Sequence, residues 1–142
     1  ARIYEYFPDA AITTDIIVGF PTETEQSFAA SLSMVEEAGF ARVHAFPYSA
    51  RPGTNAAKKK PLPDAVKRER MERMLACAQA AEEKYLARFA GRRLCALFEG
   101  EGGYTSNYIR VYAQGAREGG MYEVCLEKRE KDGYHVALEK EI

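Results

Sequence analysis

Residues 12–25 read I-T-T-D-I-I-V-G-F-P-T-E-T-E, and this stretch sets the fold class. Ile12 to Phe20 is β-branched and increasingly apolar, which is the composition of a strand, and Gly19-Phe20-Pro21 ends it. Thr22 with Glu25 three residues on makes a capping-box pattern that opens a helix. Phe28, Leu32 and Val35 then fall at i, i+4 and i+7 on one helical face, and Gly39 suits the stop. A second strand runs from Arg42 to Tyr48, R-V-H-A-F-P-Y. Strand, helix and strand in that order predict a right-handed βαβ unit with parallel strands.

Two parallel strands are little sheet. Both edges stay open, whereas parallel sheets are normally covered on both faces. The α/β piece is therefore expected to be cut from a longer array, and residues 1–56 to self-associate through the exposed strand edges or to stay disordered. Residues 49–63 form a loop rich in proline, glycine and lysine. Asp64 can cap a helix reaching Ala90, with an apolar stripe of Met71, Met74, Leu75, Ala78, Tyr85, Leu86 and Phe89 and a stop at Gly91.

Beyond Arg92 the period changes to two. Leu94–Glu99, Tyr108–Ala113, Met121–Lys128 and Tyr134–Glu139 are short alternating runs separated by glycines. They predict a small all-β barrel of OB-like type. The expected division is 1–63 for the α/β remnant, 64–90 for a connecting helix, and 91–142 for the barrel.

Composition narrows the function classes. A net charge of −1 over 142 residues argues neither for nor against a nucleic-acid partner, so local patches must decide. No run approaches the roughly 18 apolar residues of a membrane span, and Ala1-Arg2-Ile3-Tyr4-Glu5 has no apolar signal region. A cytoplasmic protein without a membrane partner is expected, its N-terminus being the cut end of a longer chain. The three cysteines, Cys77, Cys95 and Cys125, lack any C-x-x-C spacing. They predict no metal site and no cluster of their own.

Four constellations carry chemistry, each with a plain alternative. Val18 and Gly19 end a parallel strand at a capped helix, where α/β folds place ligands, although a turn and a cap explain the same residues. His44, Phe46 and Tyr48 alternate onto one face of the second strand, with Arg51 just past it. That row can hold an adenine and a carboxylate, or be a core aromatic pair. In G-Y-T-S-N-Y-I-R-V-Y, residues 103–112, Tyr108, Arg110 and Tyr112 face opposite to Ile109, Val111 and Ala113. With Tyr104, Asn107, Arg92 and Arg93 they make a stacking and phosphate-holding face suited to RNA, or a plain solvated strand. Residues 58–93 hold eleven Lys/Arg against five Asp/Glu, a local +6, usable for steering phosphate or simply a solvated helix face.

Taken in order, T-T-D-I-I-V-G-F-P-T-E-T-E, H-A-F-P-Y-S-x-R-P-G-T, a basic helix and a small β domain resemble the methylthiotransferase branch of radical S-adenosylmethionine enzymes. The last domain resembles the TRAM module, an RNA-binding barrel. G-Y-T-S-N-Y-I-R-V resembles the subfamily acting on threonylcarbamoyladenosine beside the tRNA anticodon. The resemblance implies a parent enzyme with S-adenosylmethionine and two 4Fe-4S clusters, which inserts a methylthio group at C2 of that adenosine. It implies cofactor contacts at Val18, Gly19, His44, Phe46, Tyr48 and Arg51, and tRNA as partner. Without the cluster cysteines this piece is expected to hold no cofactor and to be inactive by itself, supplying tRNA docking and part of the cofactor pocket. Two readings compete: a stand-alone OB-like RNA-binding module, and a scaffold whose tyrosine face is a protein interface.

Overall fold

The computed structural model describes residues 2–130 and 132–142. Ala1, where the expected first segment begins, lies outside the described residues. The chain divides into two compact units, residues 12–85 and residues 2–11 together with Leu86–Ile142. The division differs from the one drawn on the sequence. The first residues go with the barrel, because Asp9 is tied to Arg92 by two hydrogen bonds and its carbonyl accepts one from Asn107.

In the 12–85 unit, β1 (Thr13–Val18) and β2 (Arg42–Pro47) pair in parallel, with Ile17 opposite Phe46 and Asp15 opposite His44. Between them runs α2 (Glu25–Ala38), and after a short 3-10 turn at Ala56–Lys58 comes α3 (Asp64–Ala87). Alternation puts Ile16, Val18, Val43 and Ala45 on one sheet face, where they pack with Phe28, Val35, Met74, Ala78 and Ala81 of the helices. Three local expectations are corrected. The cap of α2 is Thr24, whose hydroxyl accepts from the Ser27 amide while Ser27 accepts from the Thr24 amide. Thr22 is not the cap, because Glu23 turns back to accept from the Gly19 amide at 3.1 Å and Glu25 is drawn to Arg73. Helix α3 ends at Ala87 rather than Ala90, and Leu75, expected in its apolar stripe, stands half exposed.

The other unit opens with a short helix, α1 (Arg2–Tyr6). Its barrel has five strands where four were expected: β3 (Arg93–Glu99), β4 (Gly102–Thr105), β5 (Arg110–Tyr112), β6 (Met121–Arg129) and β7 (Gly133–Glu141). They close in the order β3-β4-β5-β7-β6, antiparallel except for β5 with β7. β4 was hidden because it is built on glycines, and Gly103 is required there: a Cβ would stand 2.3 Å from the Leu97 carbonyl oxygen across the ladder. The inward set is Ala96, Phe98, Ile109, Val111, Val124, Leu126 and Tyr134, all almost fully buried. Closure removes the sheet edges that a flat array of these strands would expose. The Tyr134 hydroxyl donates to the Leu86 carbonyl at 2.8 Å, tying the end of α3 to the barrel.

Candidate functional site

The outer face of β3, β4 and β5 carries a groove of about 710 Å³ lined by Leu97, Tyr104, Tyr108, Arg110, Tyr112 and Met121, among others. Arg110 is bracketed. Its Nε donates to the Tyr112 hydroxyl and its Nη1 to the Tyr104 hydroxyl, both at 2.7 Å, and the guanidinium carbon lies 5.3 Å from each ring centroid. Tyr112 in turn donates to the Asp132 carboxylate. The two phenols hold the Arg110 pKa above its ordinary value through those hydrogen bonds, so the cation is permanent.

Tyr108 does not stand on a strand, as the alternation implied. It occupies the turn between β4 and β5 with a positive φ of 60°, and its side chain is 80% exposed. The Tyr108 amide donates to the Thr105 carbonyl, and the Ile109 amide to the Thr105 hydroxyl. Asn107 holds that turn: its Oδ1 accepts from the Thr105 hydroxyl at 2.6 Å and its amide nitrogen donates to the Asp9 carbonyl. Asn107 is buried, so its contribution is to the turn's shape.

Arg92 and Arg93, expected to meet RNA, are engaged with acids distant in sequence. Arg92 grips both Asp9 oxygens at 2.7 and 2.6 Å, and Arg93 pairs with Glu139. The basic zone is similarly offset: Lys67 pairs with Asp64, Arg70 with Glu23, and Arg73 with Glu25 and Glu69. Four of those acids, Asp9, Glu23, Glu25 and Glu139, lie outside the 58–93 window, so the local +6 overstates the field available to a partner. Lys58, Lys59 and Lys60 do stand exposed.

The Arg92 hydrogen bond holds the Asp9 carboxyl below its ordinary value; partial burial opposes this, and the Arg92 and Arg88 charges add to it. A depressed carboxyl contributes stability above its unfolded pKa of about 3.9, lost as pH falls through the folded value. Arg92→Gln is therefore expected to move the Asp9 titration midpoint upward, towards 3.9, in a carboxyl-carbon NMR titration. An unmoved midpoint would mean that the pair does not hold in solution.

In the 12–85 unit, the sheet face away from the helices carries Ile17 and Phe46, 59% and 51% exposed. At the C-terminal end of the strands they join Tyr48, Arg51 and Thr54 around a groove of about 450 Å³. The Tyr48 ring meets Phe20 edge-on at 5.2 Å, and its buried hydroxyl has no hydrogen-bond partner among the described residues. His44 is exposed on the same strand outside the groove. Val18 points the other way, into the helix-covered core, and only its backbone reaches this end, where its carbonyl accepts from the Tyr48 amide. Gly19 has φ 82°, and a Cβ there would come 2.7 Å from Lys67 Cγ. Ile17, Leu97 and Met121 escaped the sequence reading; outward-facing apolar residues in alternating strands were their signal. Among the described residues no group of three His, Cys, Asp or Glu side chains could hold a metal ion, and no helix is long and apolar enough to cross a membrane.

A comparison with protein-family models finds no match. Curated relatives do match, and their names agree. The tRNA-2-methylthio-N(6)-dimethylallyladenosine synthase of Bifidobacterium adolescentis is 46% identical over 102 residues, covering 72% of this chain and 21% of the relative. That of Thermobifida fusca is 48% identical over 103 residues, covering 71% and 21%. That of Bacillus subtilis is 39% identical over 126 residues, covering 82% and 25%. These names carry dimethylallyladenosine, which corrects the threonylcarbamoyladenosine branch expected from residues 103–111. The physical reason is that Gly103, Thr105 and Asn107 of that stretch serve barrel closure and the turn, so the motif reports the barrel and not the substrate. The chain thus spans about a fifth of the length of these relatives, and over seven tenths or more of its own length it is similar to tRNA methylthiotransferases.

Proposed function

We propose that this chain is part of a tRNA methylthiotransferase acting on dimethylallyladenosine in tRNA, in which the barrel docks the RNA and the βαβ unit forms one wall of the cofactor pocket. The observation that carries the proposal is the identity of 39–48% with enzymes of that name, running through both units. The Tyr104–Tyr108–Arg110–Tyr112 face supports RNA docking, since exposed aromatic faces stack on unpaired bases. The TRAM likeness remains part of this proposal.

The groove of the 12–85 unit fits part of S-adenosylmethionine. Phe46 and Ile17 offer an apolar wall for adenine, and Arg51 a partner for the carboxylate. That cofactor, when bound, supplies the sulfonium chemistry of the family. The iron–sulfur clusters do not fit this chain's own residues. Cys77 lies half-buried on α3 in one unit, Cys95 and Cys125 on β3 and β6 of the other, and no ligand group forms among the described residues. The open strand edges of β1 and β2 are proposed to pair with further strands of the whole enzyme, or with a second copy of this piece.

Filter binding of unmodified tRNA at two salt concentrations tests the docking claim. Micromolar binding that weakens with salt is expected, with a slope of a few phosphate contacts, because Lys67, Arg70, Arg73, Arg92 and Arg93 are paired internally while Lys58, Lys59 and Lys60 stand exposed. Binding absent at low salt would refute it.

A further inference from the structure

Resting on that RNA-docking proposal, we infer that the groove beside Tyr108 seats one unpaired nucleobase, stacked on the Tyr108 ring, and excludes a base-paired duplex. The first ground is backbone strain without a packing reward. Tyr108 is the only non-glycine residue with positive φ among the described residues, yet its side chain is 80% exposed. A bulky residue is disfavoured in that region, and nothing in the barrel core repays it. The turn imposes the backbone geometry through Thr105, Asn107 and the Asp9 carbonyl, and so projects an aromatic ring into solvent. An observed outlier of this kind points to a site.

The second ground is the shape and charge of the groove. Tyr104 and Tyr108 lie 6.4 Å apart at 52°, too tilted to stack on each other, so the face of Tyr108 stays available. Leu97 and Met121, 46% and 44% exposed, add apolar surface beside it. Glu99 and Glu101 line the same groove, and their carboxylates repel phosphate. The Arg110 cation is already shared among Tyr104, Tyr112 and the nearby Asp132. The groove therefore favours a neutral ring inside, with the strand's phosphates outside. A duplex offers no free base face for such a seat, whereas an unstacked base in a loop does.

The test uses the intact chain and a short oligoribonucleotide carrying 2-aminopurine, either single-stranded or annealed to its complement. Preferential binding of the single strand, with quenching of the 2-aminopurine, is expected. Tyr108→Phe should retain both. Tyr108→Gly should melt at the same or a higher temperature, because glycine accepts the positive φ, while binding falls about 5- to 150-fold. Stability and affinity moving in opposite directions is the signature of a displayed ring. If Tyr108→Gly binds as the parent does, or if it loses stability and affinity together, the inference is overturned. Equal, salt-dependent binding of single strand and duplex overturns the base seat and leaves RNA docking standing; no binding of either overturns both.

Discussion

Replacing Arg70 with methionine is expected to destabilise the 12–85 unit by about 3–5 kcal/mol, the usual cost of stripping one partner from a buried ion pair. The pair is well enclosed: the Arg70 and Glu23 side chains are 7% and 12% exposed, with Nη1 at 2.8 Å from Oε1. The same Nη1 donates to the Glu23 carbonyl at 3.1 Å, and the guanidinium sits over the Phe28 ring at 5.5 Å. Methionine keeps much of the packing but leaves the Glu23 carboxylate, 12% exposed, without its closest counter-charge. Glu23 also accepts from the Gly19 amide, so the turn at the end of β1 shares the damage. Adding Glu23→Gln should recover a large part of the loss, since an amide oxygen can still serve Gly19 without a charge to compensate. Denaturant unfolding of the two single variants and the double gives the coupling energy. A loss below about 1 kcal/mol for Arg70→Met would be the behaviour of a solvated surface pair, and would refute the enclosure described for it.

Gly133→Ala is expected to be comparably severe, through sterics alone. A Cβ at Gly133 would stand 2.0 Å from the Arg110 carbonyl oxygen and 2.7 Å from its carbon, both backbone atoms. These two residues are register partners in the parallel β5–β7 ladder, and β5 is only 3 residues long. The strands must part there, which breaks the closure of the barrel. The expected loss is at or above the upper end of the roughly 1–3 kcal/mol of ordinary overpacking. The groove should suffer with it, because Arg110 would move relative to Tyr104. Gly102→Ala is the matched control: its Cβ would meet nothing nearer than Arg110 Nη2 at 3.8 Å, at a position without positive φ. Thermal melts should separate the two sharply. Equal melting temperatures would mean that β5 yields easily, contrary to its place in a closed barrel.

Both variants act through approaches between residues far apart in the chain, and that is where the sequence reading reached its limit. Apolar periodicity is a local property, so the sequence alone determined β1, α2 and β2 in order, the helix that follows, and the inward set Ile109, Val111 and Ala113. The left-handed glycines at 39 and 91 were equally legible, because the requirement for positive φ is paid within one residue. It also marked the Tyr104–Tyr112 stretch as a surface of interest. The likeness to methylthiotransferases was legible through motifs in order, but the substrate branch was not, since its supposed signature does structural work in the barrel.

Tertiary structure decided the rest. β4 has almost no apolar content and exists because Gly103 lets two backbones approach across the ladder. The place of Tyr108 off the strand follows from the turn that Thr105 and Asn107 build, which overrides alternation. The charges were settled by folding, which brings Arg92 to Asp9, 83 positions away, and Arg70 to Glu23, 47 away. Counting charge along the chain cannot see such pairs, because their energy depends on distance in space, and only the docking of the first residues on the barrel and the packing of α3 on α2 bring them together.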